Sequence, residues 1–198
     1  RQSAILQRME TSGKKSRPTR STALRVAVLA VLTAVTAVFT YLIRIPIAPT
    51  RGYLNLGDVA IYFTAFSFGP VSALVTGGLG TALADVLSGY AQWAPISLFV
   101  HGLQGCVAGL LAMVPISRKK SPGKAWGALE PGWLLAFAGG TVVMCAGYLA
   151  AGTVMVGLGA ALAELPGNIL QNVAGVAGGI PLTLAVRKAY PPVRELRW

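Results

Sequence analysis

Charge is what this chain has least of. Only 12% of its 198 residues are Asp, Glu, Lys or Arg, about half the roughly 25% of a soluble domain. With 54% hydrophobic residues and a mean hydropathy of +0.63, that scarcity excludes an ordinary water-soluble fold. Histidine occurs once, as His101, and cysteine twice, as Cys106 and Cys145. One histidine and two separated cysteines give no metal-ligand spacing, so no metal is expected and both cysteines read as small packing residues. Gly77, Gly78 and Gly80 are not followed by a Gly-Lys-Ser/Thr run, so the chain should not hydrolyse ATP itself. No nucleophile motif appears, and neither enzyme activity nor a cofactor is expected. The stretch before Ser21 has no short apolar core and no cleavage site, so no signal peptide is expected there.

Apolar runs are abundant instead. They lie at about 22–43, 56–68, 71–88, 95–116, 131–156 and 158–186, and all but the second are long enough to cross a hydrocarbon core. The second needs length from its loop or a thinned bilayer. The reading is an all-α membrane protein, a six-transmembrane-helix bundle at 22–188. A basic tail at 1–21 precedes it and a short tail at 189–198 follows, both cytoplasmic. The net charge of +11 sits at the ends of the apolar runs, which points to topology and anionic lipid rather than nucleic acid. With six crossings, 15 of the 17 basic residues fall on the side of the two termini. Only Arg44 and Arg51 lie opposite. That bias places both termini in the cytoplasm.

Ala23, Ala27, Ala30, Ala34 and Ala37 recur in steps of four and three along the first segment. Such a stripe admits close approach of another helix, from the same bundle or from a separate subunit. Pro46, Pro49 and Gly52 mark the next stretch as a loop. Asn55 then reads as an N-cap and Asp58 as an acid set against the helix dipole, with ligand contact by Asn55 as the alternative. Asp85 needs a partner or water.

Glu164, Asn168 and Asn172 share one face of the sixth segment, with Gln171 beside them and Pro166 and Gly167 loosening the helix between. Facing lipid, that face is costly. It either ties helices together or lines a ligand cavity. His101 and Gln104 lie one turn apart on the fourth segment, about 9 and 14 Å in from Pro95 at 1.5 Å per residue. Glu164 and Asn168 fall at overlapping depths. His101, Gln104, Glu164 and Asn168 can therefore line one outward pocket suited to a small polar heterocycle. Trp93 and Tyr148 are candidate stacking partners.

These motifs carry a resemblance. The order of Gly52-Tyr-Leu-Asn-Leu-Gly-Asp58, Phe68-Gly-Pro70, Gly80-Thr-Ala-Leu-Ala-Asp85, Gly89-Tyr90, Trp93-Ala-Pro95, His101-Gly-Leu-Gln-Gly105 and Glu164-Leu-Pro-Gly-Asn168 resembles the substrate-binding (S) components of energy-coupling factor (ECF) vitamin importers. Within that group it is most similar to the riboflavin-type family. The resemblance spans 22–188. It implies capture of a vitamin or precursor, such as riboflavin or hydroxymethylpyrimidine, under a first loop that acts as a lid. It further implies a prokaryotic plasma membrane, docking of the alanine stripe on a transmembrane coupling (T) subunit, and two cytosolic ATPases. Many family members have a Lys where this chain has His101, which leaves the substrate open. Two other classes stay open on the residues alone: an intramembrane enzyme using His101 or Glu164, and a stand-alone transporter carrying protons on Asp85 or Glu164.

The charge bias makes a direct prediction. In intact cells a cysteine placed by Arg51→Cys should react with a membrane-impermeant maleimide, and one placed by Ser121→Cys should react only after permeabilisation. Labelling of both from the same side would exclude six crossings.

Overall fold

A computed structural model describes residues 19–48, 50–114 and 131–197. Most of the basic tail and the basic loop at 118–124 lie outside these residues. The described residues are helical apart from one hairpin and short connecting turns. Helix α1 spans Thr19–Leu42, α2 Gly57–Phe68, α3 Pro70–Leu87, α4 Ala94–Ala112, α5 Pro131–Val156 and α6 Leu158–Ala189. A 3-10 turn, Pro191–Leu196, follows α6. All but α2 are long and apolar enough to cross a membrane. Where the sequence suggests an irregular loop, strands β1 (Arg44–Ile47) and β2 (Gly52–Asn55) pair antiparallel, Pro46 opposite Tyr53. Pro46 is tolerated because this two-stranded ribbon has open edges. Arg51 turns the hairpin with a left-handed φ of 53°.

Polarity is arranged inside out. Large apolar side chains such as Phe99, Val142, Val154 and Leu170 are exposed, while Asp58, His101, Gln104, Glu164, Asn168 and Asn172 are buried. A soluble protein would not show so wide an apolar surface. For a helical bundle in lipid it is the lowest-cost arrangement.

Helix α2 is the axis. Eleven of its 12 residues are buried, and it packs against α1, α3, α4 and α6. Its N-terminus lies under the hairpin. At its other end Phe66 stacks on Trp133 at 5.0 Å between ring centres. There the Phe66 carbonyl accepts hydrogen bonds from Arg187 and Arg197, which suits cations at the C-terminal end of a helix. Single-residue turning at Gly69, with φ of 92°, sends α3 straight back toward the hairpin. The segment after α6 packs on the bundle: its 3-10 turn buries Val193 against Leu32, Phe63 and Phe68.

Close helix approach depends on missing side chains. A Cβ on Gly105 of α4 would lie 2.7 Å from the Ala73 carbonyl oxygen of α3. One on Gly175 of α6 would lie 2.5 Å from Asp58 Cβ. Gly159, by contrast, has nothing within 4 Å of that position.

The alanine stripe divides. Ala23, Ala27, Ala30 and Ala34 are exposed, whereas Leu32, Thr36 and Thr40 form the buried face of α1. Ala37 is buried at 7% exposure and leaves the outward stripe.

The packing predicts that Gly175→Val lowers the melting temperature in detergent by about 3–10 °C, from an overpacking cost of about 1–3 kcal/mol. Gly159→Ala should be neutral or slightly stabilising. Equal melting temperatures for the two variants would show that α6 can move away from α2 at no cost.

Candidate functional site

A polar cavity lies between the hairpin and the ends of α3, α4, α5 and α6 nearest to it. Its volume is about 30 Å³, room for about two waters. The hairpin closes it with Gly52, Tyr53 and Asn55, α3 contributes Asp85, and Trp93 at the head of α4 precedes Ser97 and His101. Helix α5 adds Met144 and Tyr148, and α6 adds Glu164, Asn168 and Gln171. None of the lining residues is Lys or Arg.

Of the residues expected to line a pocket, Asn55, Trp93, His101, Tyr148, Glu164 and Asn168 meet on this wall. Gln104 and Asn172 do not reach it. Both are fully buried one layer behind. Helical spacing fixes the face a residue occupies but not its radial depth, which here depends on how closely α2 sits.

The layer behind the wall is built on Asp58, in the first turn of α2. Its Oδ1 accepts from Gln104 Nε2 at 2.7 Å and its Oδ2 from Gln171 Nε2 at 2.5 Å. The simple capping role expected for Asp58 is therefore incomplete. Asn55 is also not the N-cap, which is Leu56. Instead, Asn55 Oδ1 accepts from the Gly57 amide at 2.7 Å.

A carboxylate can only accept, so Asp58 orients both glutamines. With Gln104 Nε2 turned to Asp58, its Oε1 faces His101 Nδ1 at 2.7 Å, and that nitrogen must carry the proton. With Gln171 Nε2 turned to Asp58, its Oε1 accepts the Asn55 amide at 2.9 Å. Gln104 also donates to Asn172 Oδ1 at 3.0 Å, which accepts Tyr62 Oη at 2.7 Å. Asn172 Nδ2 then donates to the Asn168 carbonyl at 2.9 Å and to Met144 Sδ at 2.8 Å. Hairpin, α2, α4, α5 and α6 are thus joined through one carboxylate.

On the wall, His101 packs edge-on to Tyr148 at 5.5 Å, and Tyr148 Oη lies 2.7 Å from Ser97 Oγ. Trp93 lies 6.0 Å from the Tyr148 ring. Tyr53 of the hairpin donates to Asp85 Oδ1 at 2.6 Å and packs on Tyr90 at 4.8 Å. The other oxygens of the two acids, Asp85 Oδ2 and Glu164 Oε2, are buried without a hydrogen-bond partner.

Sequence reading did not single out Tyr53, Ser97 or Met144. Tyr53 lies two residues before Asn55 in the Gly52–Asp58 motif and was the accessible signal. An apolar thioether that accepts a hydrogen bond gives no signal of its own.

A helical membrane bundle that closes a narrow polar cavity under a hairpin has the build of a membrane receptor for a small solute. Residues 20–188 match the ECF-type riboflavin transporter, S component, and the chain belongs to that family. It is accordingly a substrate-binding membrane subunit of a vitamin or vitamin-precursor transporter, and the family is not one of enzymes. It is 36% identical over 152 residues to the thiamine precursor transporter HmpT of Lactococcus lactis subsp. cremoris, covering 76% of this chain and 80% of that protein. It is also 37% identical over 158 residues to an uncharacterised protein of the gap 3′ region of Pyrococcus woesei, covering 80% of this chain and 98% of that one.

The Tyr53–Asp85 bond generates a test of the hairpin. Burial first, and Asp85 beside it second, push the Tyr53 phenol well above its ordinary 10.0. A folded-state value raised in this way keeps its stabilisation below pH 10 and loses it only as pH rises through the raised value. Tryptic cleavage after the exposed Arg51, followed by peptide mapping, should therefore show the same hairpin opening at pH 7 and 9. Tyr53→Phe should raise cleavage about tenfold or more at pH 8, since a hydrogen bond to a charged group contributes about 1.5–3 kcal/mol. Unchanged cleavage would mean that other contacts hold the hairpin.

Proposed function

We propose that this subunit crosses a prokaryotic plasma membrane six times with both termini in the cytoplasm. It captures a vitamin-like heterocycle from outside and delivers it with a T subunit and two cytosolic ATPases. The observation that carries this reading is the polar cavity beneath the hairpin, with three aromatic side chains and two buried carboxylates on its wall.

Six passes fit the geometry although α2 is only 12 residues long. Its first turn reaches the hairpin through Asp58 and Gln171, and its last turn reaches Arg187 at the opposite end. The even count agrees with 15 of 17 basic residues on one side. The ligand contacts in this reading are Asn55, Trp93, His101, Tyr148, Glu164 and Asn168, with Gln104 and Asn172 holding them from behind. A cavity of about 30 Å³ admits a vitamin only if the hairpin lifts. A single ring then asks for less displacement than a three-ring flavin, in keeping with a relative described as a thiamine precursor transporter.

The T subunit docks on the outward face of Ala23, Ala27, Ala30 and Ala34, which is exposed and lies away from the cavity. Small residues there permit the close approach that transmembrane helices need.

Two measurements test this reading. Mass spectrometry of protein purified from cells should find a co-bound heterocycle. In cells that also make the T subunit and ATPases, Ala30→Trp should abolish uptake while isothermal titration of the purified variant shows unchanged affinity. Loss of binding with intact assembly would make the stripe internal packing.

A further inference from the structure

The hairpin end of the bundle carries a second hollow, which shares no lining residue with the polar cavity. It is a groove of about 290 Å³ between the last turns of α1 and α3, walled by Ala37, Val38, Tyr41, Leu42 and Leu87. Val38, Tyr41, Leu42 and Leu87 are exposed, and the small Ala37 is buried between them. Both helices are long and apolar enough to cross a membrane, so the groove lies against lipid, near the level where aromatic side chains mark the interface.

One cation stands at this groove. The Arg44 guanidinium lies over the Tyr41 ring at 4.4 Å from its centre, so one ring both lines the groove and holds the charge. A ring face takes the flat side of a guanidinium and leaves its N–H edge for another partner. The three acids at this end, Asp58, Asp85 and Glu164, are buried. Among the described residues no acid pairs with Arg44, and the one close acid–base pair joins His101 to Asp58.

We propose that the groove and Arg44 form a binding site for an anionic phospholipid of the hairpin-side leaflet, with an acyl chain along Val38, Leu42 and Leu87 and the phosphate on the guanidinium. The fork of guanidinium donors matches phosphate oxygens two at a time, and such charge-assisted bonds are strong. A zwitterionic lipid presents the same phosphate with its own cation beside it, which competes with Arg44. An anionic head group brings no such competitor. An apolar helix of a partner protein would cover the walls but leave Arg44 without an anion. Arg44 also opens β1 and pairs across to Asn55 of β2. A phosphate held there steadies the base of the hairpin that covers the cavity.

The test places the full-length protein in nanodiscs of phosphatidylglycerol and phosphatidylcholine in equal amounts. A trace of one or the other lipid carries a diazirine on its acyl chain, and labelled positions are mapped by mass spectrometry after irradiation. Residues 37–42 and Leu87 should take about fivefold more label from the phosphatidylglycerol probe, the preference expected from one arginine near the surface. Phe99 and Val154, exposed on α4 and α5, should take equal label from both probes. Arg44→Gln should bring the groove to equality, and Arg44→Lys should keep part of the preference. The comparison within the unmodified protein requires no variant to fold. Equal labelling of the groove in the unmodified protein would overturn the proposal, as would an excess that survives Arg44→Gln. Loss of label from both probes when partner subunits are added would give the groove to a partner helix and overturn it too.

Discussion

The bundle turns on one buried carboxylate. Asp58 is fully buried and contacts Gln104 of α4 and Gln171 of α6, with His101 Nδ1 3.5 Å from its Oδ1. A carboxylate in a protein interior is tolerable only where donors surround it. The N-terminal turn of α2 adds the favourable end of a helix dipole. The acid accepts and cannot donate, so every amide around it has one permitted orientation. That orientation passes outward to the His101 tautomer, to the Asn55 amide of the hairpin and to Met144 on the far wall. Removing the acid would strand two buried amide donors, at about 1–3 kcal/mol each, and would release the polarity of the whole layer.

The short central helix explains why a cavity exists at all. A twelve-residue helix is about 18 Å long, well short of a hydrocarbon core. The remaining depth above α2 is filled by the hairpin and by polar side chains from α3 to α6. Non-helical backbone at such depth is acceptable where protein covers it or water lines it. The two strands pair with each other, and the free Asn55 amide goes to Gln171. The ribbon is therefore held by side chains that also face the cavity. In the proposed reading, a ligand that competes for Gln171 or Asp85 would loosen the hairpin, and re-forming those bonds would enclose it.

Much of this organisation was legible in the residues. The long apolar runs place α1, α3, α4, α5 and α6 to within a few residues, because lipid demands uninterrupted apolar helix. The polar face of Glu164, Asn168 and Asn172 stands out for the same reason. The hairpin was not legible, since four-residue strands with a proline resemble a loop. The place of Asp58 in the first turn of α2 was legible, but a first-turn acid satisfies the dipole in any helix and so signals nothing further. Its wider role depends on α2 being enclosed on nearly every side, which no local pattern encodes. The roles of Gln104 and Asn172 were blurred by the limit noted above: periodicity gives angle, not depth.

Helix α1 shows how two demands can share one element. Thr36 and Thr40 return their hydroxyls to the carbonyls one turn back, at 2.9 and 2.8 Å, so they sit in the protein interior without calling on other partners. Thr40 also reaches the cavity. Ala30 and Ala34 lie about 80 to 160° around the helix from these threonines and face outward. A change on the inner face alters the cavity and leaves the outer surface as it was. A change on the outer face does the reverse. If the outer face is the docking surface proposed above, one scaffold could vary what it binds while keeping that surface constant, and the separation arises from nothing more than the 100° step of an α-helix.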